Sequence, residues 1–464
     1  MLPSTYPGAH DREPPAHARE TPPGGARLTR SLPISLPSGL WWTGALLGVL
    51  IGGSVAAPLG YVAAGLAALV LGASLVRATV RSELVVAAYW LAFTLFSTML
   101  RGAVIDGMFY PFYIALVLGA VLGLVFGGLR FDRRLAWVYV AFLVVVVLSL
   151  VGYRESLGAA TLERLIVFPF GALVLLQFRS RRGVDVVAWS VVASALAVSA
   201  WVIVSAVRGD FAYRGNIDVN ENVVSFYVAL GFVVAIAERL HARRRDVPRA
   251  VAAGVFAGLG VMAYALVLLA SRGMILAVAF AVVALAARAV RFDPRRLGFL
   301  ASLALLAVVG LLLPGGQGIL ERFEDPSTAS GGGRIEIWAR IGEGLAAAGP
   351  GDLALGHGFD ASRELVARSF ASLTSTHNAY LLMVYDFGVV GLVLFLALHA
   401  FVLVRSWRVP GRHGAMMLAL VTFLLASNLF MSTPDNFLYW SALGFALAAA
   451  TWSVPGAAPP GPDR

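Results

Sequence analysis

The chain is a succession of apolar runs, each about as long as a helix needs to cross a bilayer, separated by short polar breaks. A span takes about 20 apolar residues, and by that yardstick roughly fourteen segments qualify. They lie at 40–57, 59–77, 83–100, 109–128, 135–152, 161–178, 184–207, 223–238, 250–270, 273–290, 297–313, 378–404, 414–431 and 436–453. The first pair divides one apolar run at Pro58-Leu59-Gly60, and Glu163 and Arg164 sit in the first turn of the segment at 161–178. Of 464 residues, 59% are hydrophobic and 13% charged. A soluble domain is nearer half apolar and a quarter charged. The expected fold is an all-α polytopic membrane protein with about 12–14 transmembrane helices and one large external loop carrying short amphipathic helices.

The same reading divides the chain. Residues 1–39, rich in Pro, Gly, Arg and Ala, are expected to form a disordered cytoplasmic tail. Residues 40–314 are the N-terminal transmembrane bundle, 315–376 the large periplasmic or external loop, 377–453 the C-terminal transmembrane helices, and 454–464 a second short cytoplasmic tail. The first apolar stretch begins near Leu40, too far in and too long for a cleavable signal peptide. With the N-terminus inside, alternate loops collect Arg in groups such as Arg130, Arg133 and Arg134, or Arg405, Arg408 and Arg412. The opposite loops hold far fewer for their length, which is the positive-inside pattern. No internal repeat stands out, which disfavours an inverted-repeat transporter.

The formal charge is +10 and every basic side chain is Arg. In so apolar a chain that charge orients spans and does not indicate nucleic acid. Without Lys there is no Walker-type phosphate loop and no Lys Schiff base. Without Cys there is no disulfide, thiolate nucleophile or thiolate metal site. No Asp-x-Asp pair occurs and the external acids are scattered, so no metal site is assigned. No cofactor is assigned either.

Chemistry is expected where polar groups face outside. Only two of the seven His fall there, His357 and His377. His377 stands at the junction of the loop with an apolar run from Ala379 to Val404, just before Asn378, a good helix N-cap type. That run would be about 39 Å long against a hydrocarbon core of about 30 Å, so its first turns project outside or lie re-entrant. Asp386 then falls near the membrane surface or within it, where a carboxylate calls for a partner, an external Arg or His377 itself.

Arg272, in the hairpin Ala270-Ser271-Arg272-Gly273, is open to two readings: a snorkelling interfacial Arg, or a planar fork for a lipid-linked phosphate. Arg334 follows Ser330-Gly331-Gly332-Gly333 and opens an amphipathic helix over Ile335–Ala348. It is either a solvated helix start or an anion site at a helix N-terminus. His357, between glycines in Leu355-Gly356-His357-Gly358-Phe359, reads first as part of a tight turn. The external loop with Arg214 and Asn222 is polar enough to bind sugar hydroxyls, and is also an ordinary loop.

At these residues the chain resembles the O-antigen ligase / O-antigen polymerase superfamily of bacterial envelope enzymes. The match rests on Ser271-Arg272-Gly273, Gly333-Arg334 with Trp338, Leu355-Gly356-His357-Gly358-Phe359, and His377-Asn378-x-Tyr380-Leu381 followed by Asp386-x-Gly388 and Gly391. Order and spacing agree over roughly 260–400, and Asp386 stands where the family more often has Glu. The resemblance implies a multi-pass protein of the bacterial inner membrane with its active site on the periplasmic or external face. It implies a donor glycan on undecaprenyl diphosphate, a glycan or lipid acceptor, and no metal. It also implies that a His at the start of the post-loop helix and two Arg form the working site, here His377, Arg272 and Arg334. On that footing His377 is expected as general base and Arg272 and Arg334 as a diphosphate clamp, with Asn378, Tyr380 and His357 expected to bind substrate and the shorter Asp386 to give support without a direct role. The competing class is a transporter or flippase, which would need polar residues deep within spans; away from helix ends there are few, Asp386 and His399 among them.

Overall fold

In a computed structural model the described residues are 133–150, 181–208, 221–241, 249–292, 297–301, 333–370, 375–409, 411–432 and 437–452. The expected spans at 40–57, 59–77, 83–100, 109–128 and 161–178, both tails, loop residues 315–332 and Arg214 lie outside them. Every regular element among the described residues is an α-helix. The bundle helices are α1 (Arg133–Ser149), α2 (Arg181–Arg208), α3 (Glu221–His241), α4 (Arg249–Leu269) and α5 (Arg272–Phe292). Three short helices follow in the large loop, α6 (Arg334–Ala346), α7 (Pro350–Leu355) and α8 (Ala361–Ser369). The C-terminal helices are α9 (Ala379–Arg408), α10 (Gly411–Ser427) and α11 (Phe437–Trp452).

Four helices among the described residues are long and apolar enough to cross a membrane: Val187–Val207, Glu221–Leu240, Arg272–Arg291 and Ala379–Arg408. Leu135–Ser149, Ala253–Leu269 and Gly411–Ser427 are shorter apolar helices. The expected all-α multi-pass membrane protein is what the chain forms.

The bundle is organised around α3 and α10. Helix α3 touches α2, α4, α5 and α10, while α10 touches α3, α5, α9 and α11. Every residue of α3 from Val224 to Glu238 is buried, so its apolar surface runs all the way round. Helix α1 joins through an aromatic knot in which Phe142 meets Phe387, Phe395 and Trp440 with ring centroids 5.5–6.4 Å apart. Tilted and edge-on rings of this kind add to the burial term.

Helix α9 is not one straight rod. Gly388 has φ 68 and ψ −175, a non-helical conformation that breaks it. The part beyond the break, 389–408, has about 20 residues and a length of about 30 Å, the thickness of the hydrocarbon core. Residues 379–387 are therefore in excess of the length that the core requires. Beside the break, the carbonyls of Tyr385 and Asp386 accept from the N–H groups of His357 (2.8 Å) and Gly358 (3.2 Å). A Cβ on Gly388 would collide with the Ala354 carbonyl, and one on Gly356 with the Asp386 carbonyl. The loop thus rests directly on the broken backbone of α9.

The opposite end is held by charge. Arg288, 2% exposed, donates to the carbonyl of Ser406 at 2.5 Å and to that of Val409, just past the end of α9. A cation there satisfies orphan carbonyls and faces the negative end of the helix dipole. Arg412 pairs with Asp185 and lies 3.6 Å from Glu238, and His413 Nε2 is 3.1 Å from Asp185.

Replacing Arg288 with Met leaves two buried carbonyls without this donor. A loss of about 2–3 kcal/mol is expected, read as a lower thermal midpoint of the purified protein in detergent. An unchanged midpoint would mean that the contact contributes nothing to stability.

Candidate functional site

The N-terminal end of α9 is built from its cap outward. Asn378 has the extended backbone of an N-cap, and its side chain accepts from the N–H groups of Tyr380 (3.0 Å) and Leu381 (3.1 Å). A third N–H of the first turn, Ala379, donates to the carbonyl of Asn428 at 2.8 Å. The helix start is therefore fixed both by its own cap and by the end of α10.

Immediately before the cap, His377 adopts φ 50. The left-handed region is uncommon for a residue with a side chain and persists only where surroundings impose it. Those surroundings are a polar knot. Thr376 Oγ1 donates to the Asn378 carbonyl at 3.0 Å and sits 2.7 Å from Ser432 Oγ. Ser375 Oγ donates to Ser432 Oγ at 2.8 Å, and Trp338 Nε1 donates to the Thr376 carbonyl at 3.0 Å.

Trp338 ties this knot to α6, one helical turn from Arg334 at the start of that helix. The loop after α10 ties it to α5. Phe430 packs so tightly on Gly273 that a Cβ there would collide with it. Ala270, with φ 49, closes α4. Ser271 then opens α5, its carbonyl accepting from Met274 and Ile275 at 3.1 Å. The Ser271 hydroxyl is buried and donates to Asn222 Oδ1 at 2.9 Å. Arg272, Arg334 and His377, far apart in sequence, thus arrive at one end of the bundle from α5, α6 and the α9 cap.

Their charges interact. Burial, and then the positive charge of Arg272, holds the Arg334 guanidinium below its ordinary pKa. Burial, followed by the charge of Arg334, pushes His377 down to about 4. At neutral pH the group is an uncharged imidazole beside the Arg334 guanidinium, which in turn feels the charge of Arg272. An anion placed among them would relieve the repulsion, and a neutral imidazole can accept a proton. Among the described residues no cluster of three or more His, Asp or Glu stands ready to hold a metal ion.

The other expected residues divide. Asn222 lies beside Arg272 through Ser271. Asn378 caps α9, and Tyr380 donates its hydroxyl to the Leu425 carbonyl at 2.6 Å, bracing α9 on α10. His357 stands apart, its ring stacked on Tyr385 with centroids 4.2 Å apart and planes at 8°. Asp386 is 2% exposed and its Oδ1 accepts from the Ser362 N–H at 2.7 Å, at the N-terminus of α8. The partner expected for that carboxylate was an Arg or His377. One observed partner is a helix N-terminus, which offers N–H groups and positive potential.

Two anchors escaped the sequence reading, Asn428 and Ser432. The signal was present in a run of Ser, Asn and Ser where an apolar helix ends, but nothing local links it to residues some fifty positions earlier.

The deep intramembrane His399 is fully buried and engaged at both nitrogens. Nδ1 is 2.8 Å from the Phe395 carbonyl, so it carries the proton, and Nε2 takes the Tyr439 hydroxyl. Tyr439 in turn accepts from Asn428 Nδ2 at 2.9 Å. Each member is satisfied with His399 neutral.

Residues 257–396 match the family model described as O-Antigen ligase. No curated protein matches the chain. The matched stretch runs from α4 to the middle of α9 and contains Arg272, Arg334 and His377 together with the loop helices that place them. Over residues 257–396 this multi-pass membrane protein is similar to the O-antigen ligase family.

Proposed function

We propose that the protein transfers a glycan from undecaprenyl diphosphate to an acceptor hydroxyl on the external face of the bacterial inner membrane. The observation that carries this reading is the convergence of His377, Arg334 and Arg272 beyond the membrane-spanning part of α9, with one group able to take a proton and two able to hold an anion.

The lipid diphosphate seats between Arg272 and Arg334, whose planar forks match phosphate oxygens. The acceptor hydroxyl attacks the anomeric carbon. Its proton passes to His377 as the new glycosidic bond forms. The bond from the anomeric carbon to the diphosphate oxygen breaks, and its electron pair leaves on the diphosphate, where the two guanidinium ions meet the growing charge. One direct displacement inverts the anomeric carbon. The donor bond is already activated, so no nucleotide is consumed. Ligation to another envelope molecule and polymerisation onto a second lipid-linked unit share this chemistry and differ in the acceptor.

A free imidazole with a pKa of about 4 is a weak base. Burial is the larger cause of that depression and the Arg334 charge the second; a bound diphosphate offsets the second and so raises the proton affinity of His377 when the acceptor hydroxyl is in place. The transporter reading has less support, because His399 sits in a closed set of hydrogen bonds.

In a deletion strain complemented at matched membrane levels, His377→Ala is expected to lose surface glycan that wild type restores. In a purified assay its rate should fall about 10²–10⁴-fold. Loss of multi-unit ladder bands identifies a polymerase; complete chains stranded on the carrier identify a ligase. Full complementation by the variant would remove His377 as base. Arg272→Ala and Arg334→Ala should each cost about tenfold or more, since one charge-assisted hydrogen bond contributes about 1.5–3 kcal/mol.

The pH profile is a separate check. The free-enzyme pKa of His377 lies below the usual imidazole value, so its basic form persists as pH falls through 6.5 and is lost only near 4. The acid limb of kcat/KM should therefore fall near pH 4, with the limb of kcat higher because bound diphosphate restores basicity. An acid limb of kcat/KM at the ordinary imidazole value would show that burial and Arg334 do not tune this group.

A further inference from the structure

A cavity of about 720 Å³ opens on the external side of the protein, lined by the end of α1, by α7 and α8, and by the part of α9 before its break. Its volume is within the usual range for small-molecule sites. His357 and Tyr385 line it, Leu148 and Leu355 add apolar surface, and Asp352, Glu364 and Arg368 bring charge to it. The Arg368 guanidinium pairs with Glu364 across one turn of α8.

The backbone explains why the cavity holds its shape. The Gly356-His357-Gly358 turn hangs from the α9 carbonyls of Tyr385 and Asp386, and the Phe359 N–H donates to the Ser149 carbonyl at the end of α1 at 3.2 Å. The His357 Nδ1 lies 3.3 Å from the Tyr385 carbonyl. With its proton directed there, Nε2 is an acceptor. Three elements are thus clamped around a space whose lining can both donate and accept hydrogen bonds.

That chemistry favours an uncharged polyol. Two carboxylates against one guanidinium disfavour a phosphate, while charged groups disfavour an acyl chain. Carboxylates and an imidazole nitrogen accept from hydroxyls, the guanidinium donates to them, and leucines cover the apolar faces of a sugar ring. Tyr385 separates the cavity from α6: Gly344 lies so close that a Cβ there would come within 2.9 Å of the ring, and His357 stacks on it. Tyr385 also stands six residues, about 9 Å, along α9 from Ala379 beside His377. The space is therefore within reach of the reacting hydroxyl, yet outside the guanidinium pair that takes the diphosphate.

We propose that this cavity is a subsite for a sugar residue of the acceptor glycan, a short distance from the hydroxyl that His377 deprotonates. The assignment rests on the glycosyl-transfer reading above. The test uses the full-length protein in nanodiscs and, as probe, the repeat-unit oligosaccharide released from the host's own surface polysaccharide. Binding is followed by saturation-transfer NMR, and acceptor and donor KM are measured separately. The double variant Asp352→Asn, Glu364→Gln should weaken oligosaccharide binding and raise the acceptor KM tenfold or more, with donor KM moving less than twofold. Leu355→Trp, which fills the cavity without removing a charge, should do the same. His377→Ala should lose transfer yet keep oligosaccharide binding. If both cavity variants keep wild-type affinity and acceptor KM while His377→Ala is inactive, the subsite is wrong and the glycosyl-transfer reading survives. If His377→Ala transfers normally, that reading is the one that fails.

Discussion

The rest of the site depends on the break in α9. A helix of 30 residues is too long for the hydrocarbon core, and a straight one would carry its excess as a free rod. Gly388 instead takes a conformation open to glycine, and the backbone of α7 and the following turn fits against the interruption. Non-helical backbone at membrane depth is tolerated where protein supplies the hydrogen bonds. Here the turn supplies two N–H groups and the N-terminus of α8 takes the Asp386 carboxylate. The interruption thereby becomes the dock for the large loop. That docking, with Trp338 bonded to the Thr376 carbonyl, brings Arg334 to His377.

Electrostatics at the site are unfavourable in the free protein and are held there by structure. Two guanidinium groups that repel one another, and an imidazole in a strained backbone conformation, would separate if each were on a flexible loop. Each is instead at the start of a helix whose first turn is tied down. Asn378 and Asn428 fix α9, Ser271 fixes α5, and Trp338 fixes α6. Donor dipoles and charges set in advance cost no reorganisation when charge develops, which is the reason such arrangements can catalyse.

Much of this was legible in the chain, and the limits have a physical cause. A charged or titratable side chain where an apolar run begins stands out against hydrocarbon, so Arg272, Arg334 and His377 could be picked locally. The cap role of Asn378 was also local, and so was the start of α6, expected at Ile335 and found at Arg334. What failed to show were contacts made by backbone groups across long separations. The Asp386 carboxylate was assigned a charged partner because a carboxylate in lipid needs one. The Ser362 N–H that meets it is a feature of helix α8, invisible until α8 is placed. Arg412 stands in the sequence as a loop charge that orients spans. It also pairs with Asp185, as Arg288 bonds the end of α9, because a guanidinium at a helix end does both jobs.

The buried chain from Phe395 through His399 and Tyr439 to Asn428 extends the same logic into the membrane. Each donor in it points one way. His399 gives its Nδ1 proton to a carbonyl, which obliges Nε2 to accept, which obliges Tyr439 to donate there, which leaves the Tyr439 oxygen to receive Asn428. Charging His399 would put a second proton on Nε2 against the tyrosine hydroxyl and leave a cation in hydrocarbon, so the arrangement keeps one protonation state. Asn428 is also the residue whose carbonyl holds the Ala379 N–H at the start of α9. The polar groups deep in the bundle are therefore tied, through Asn428, to the end of α10 and to the backbone that presents His377.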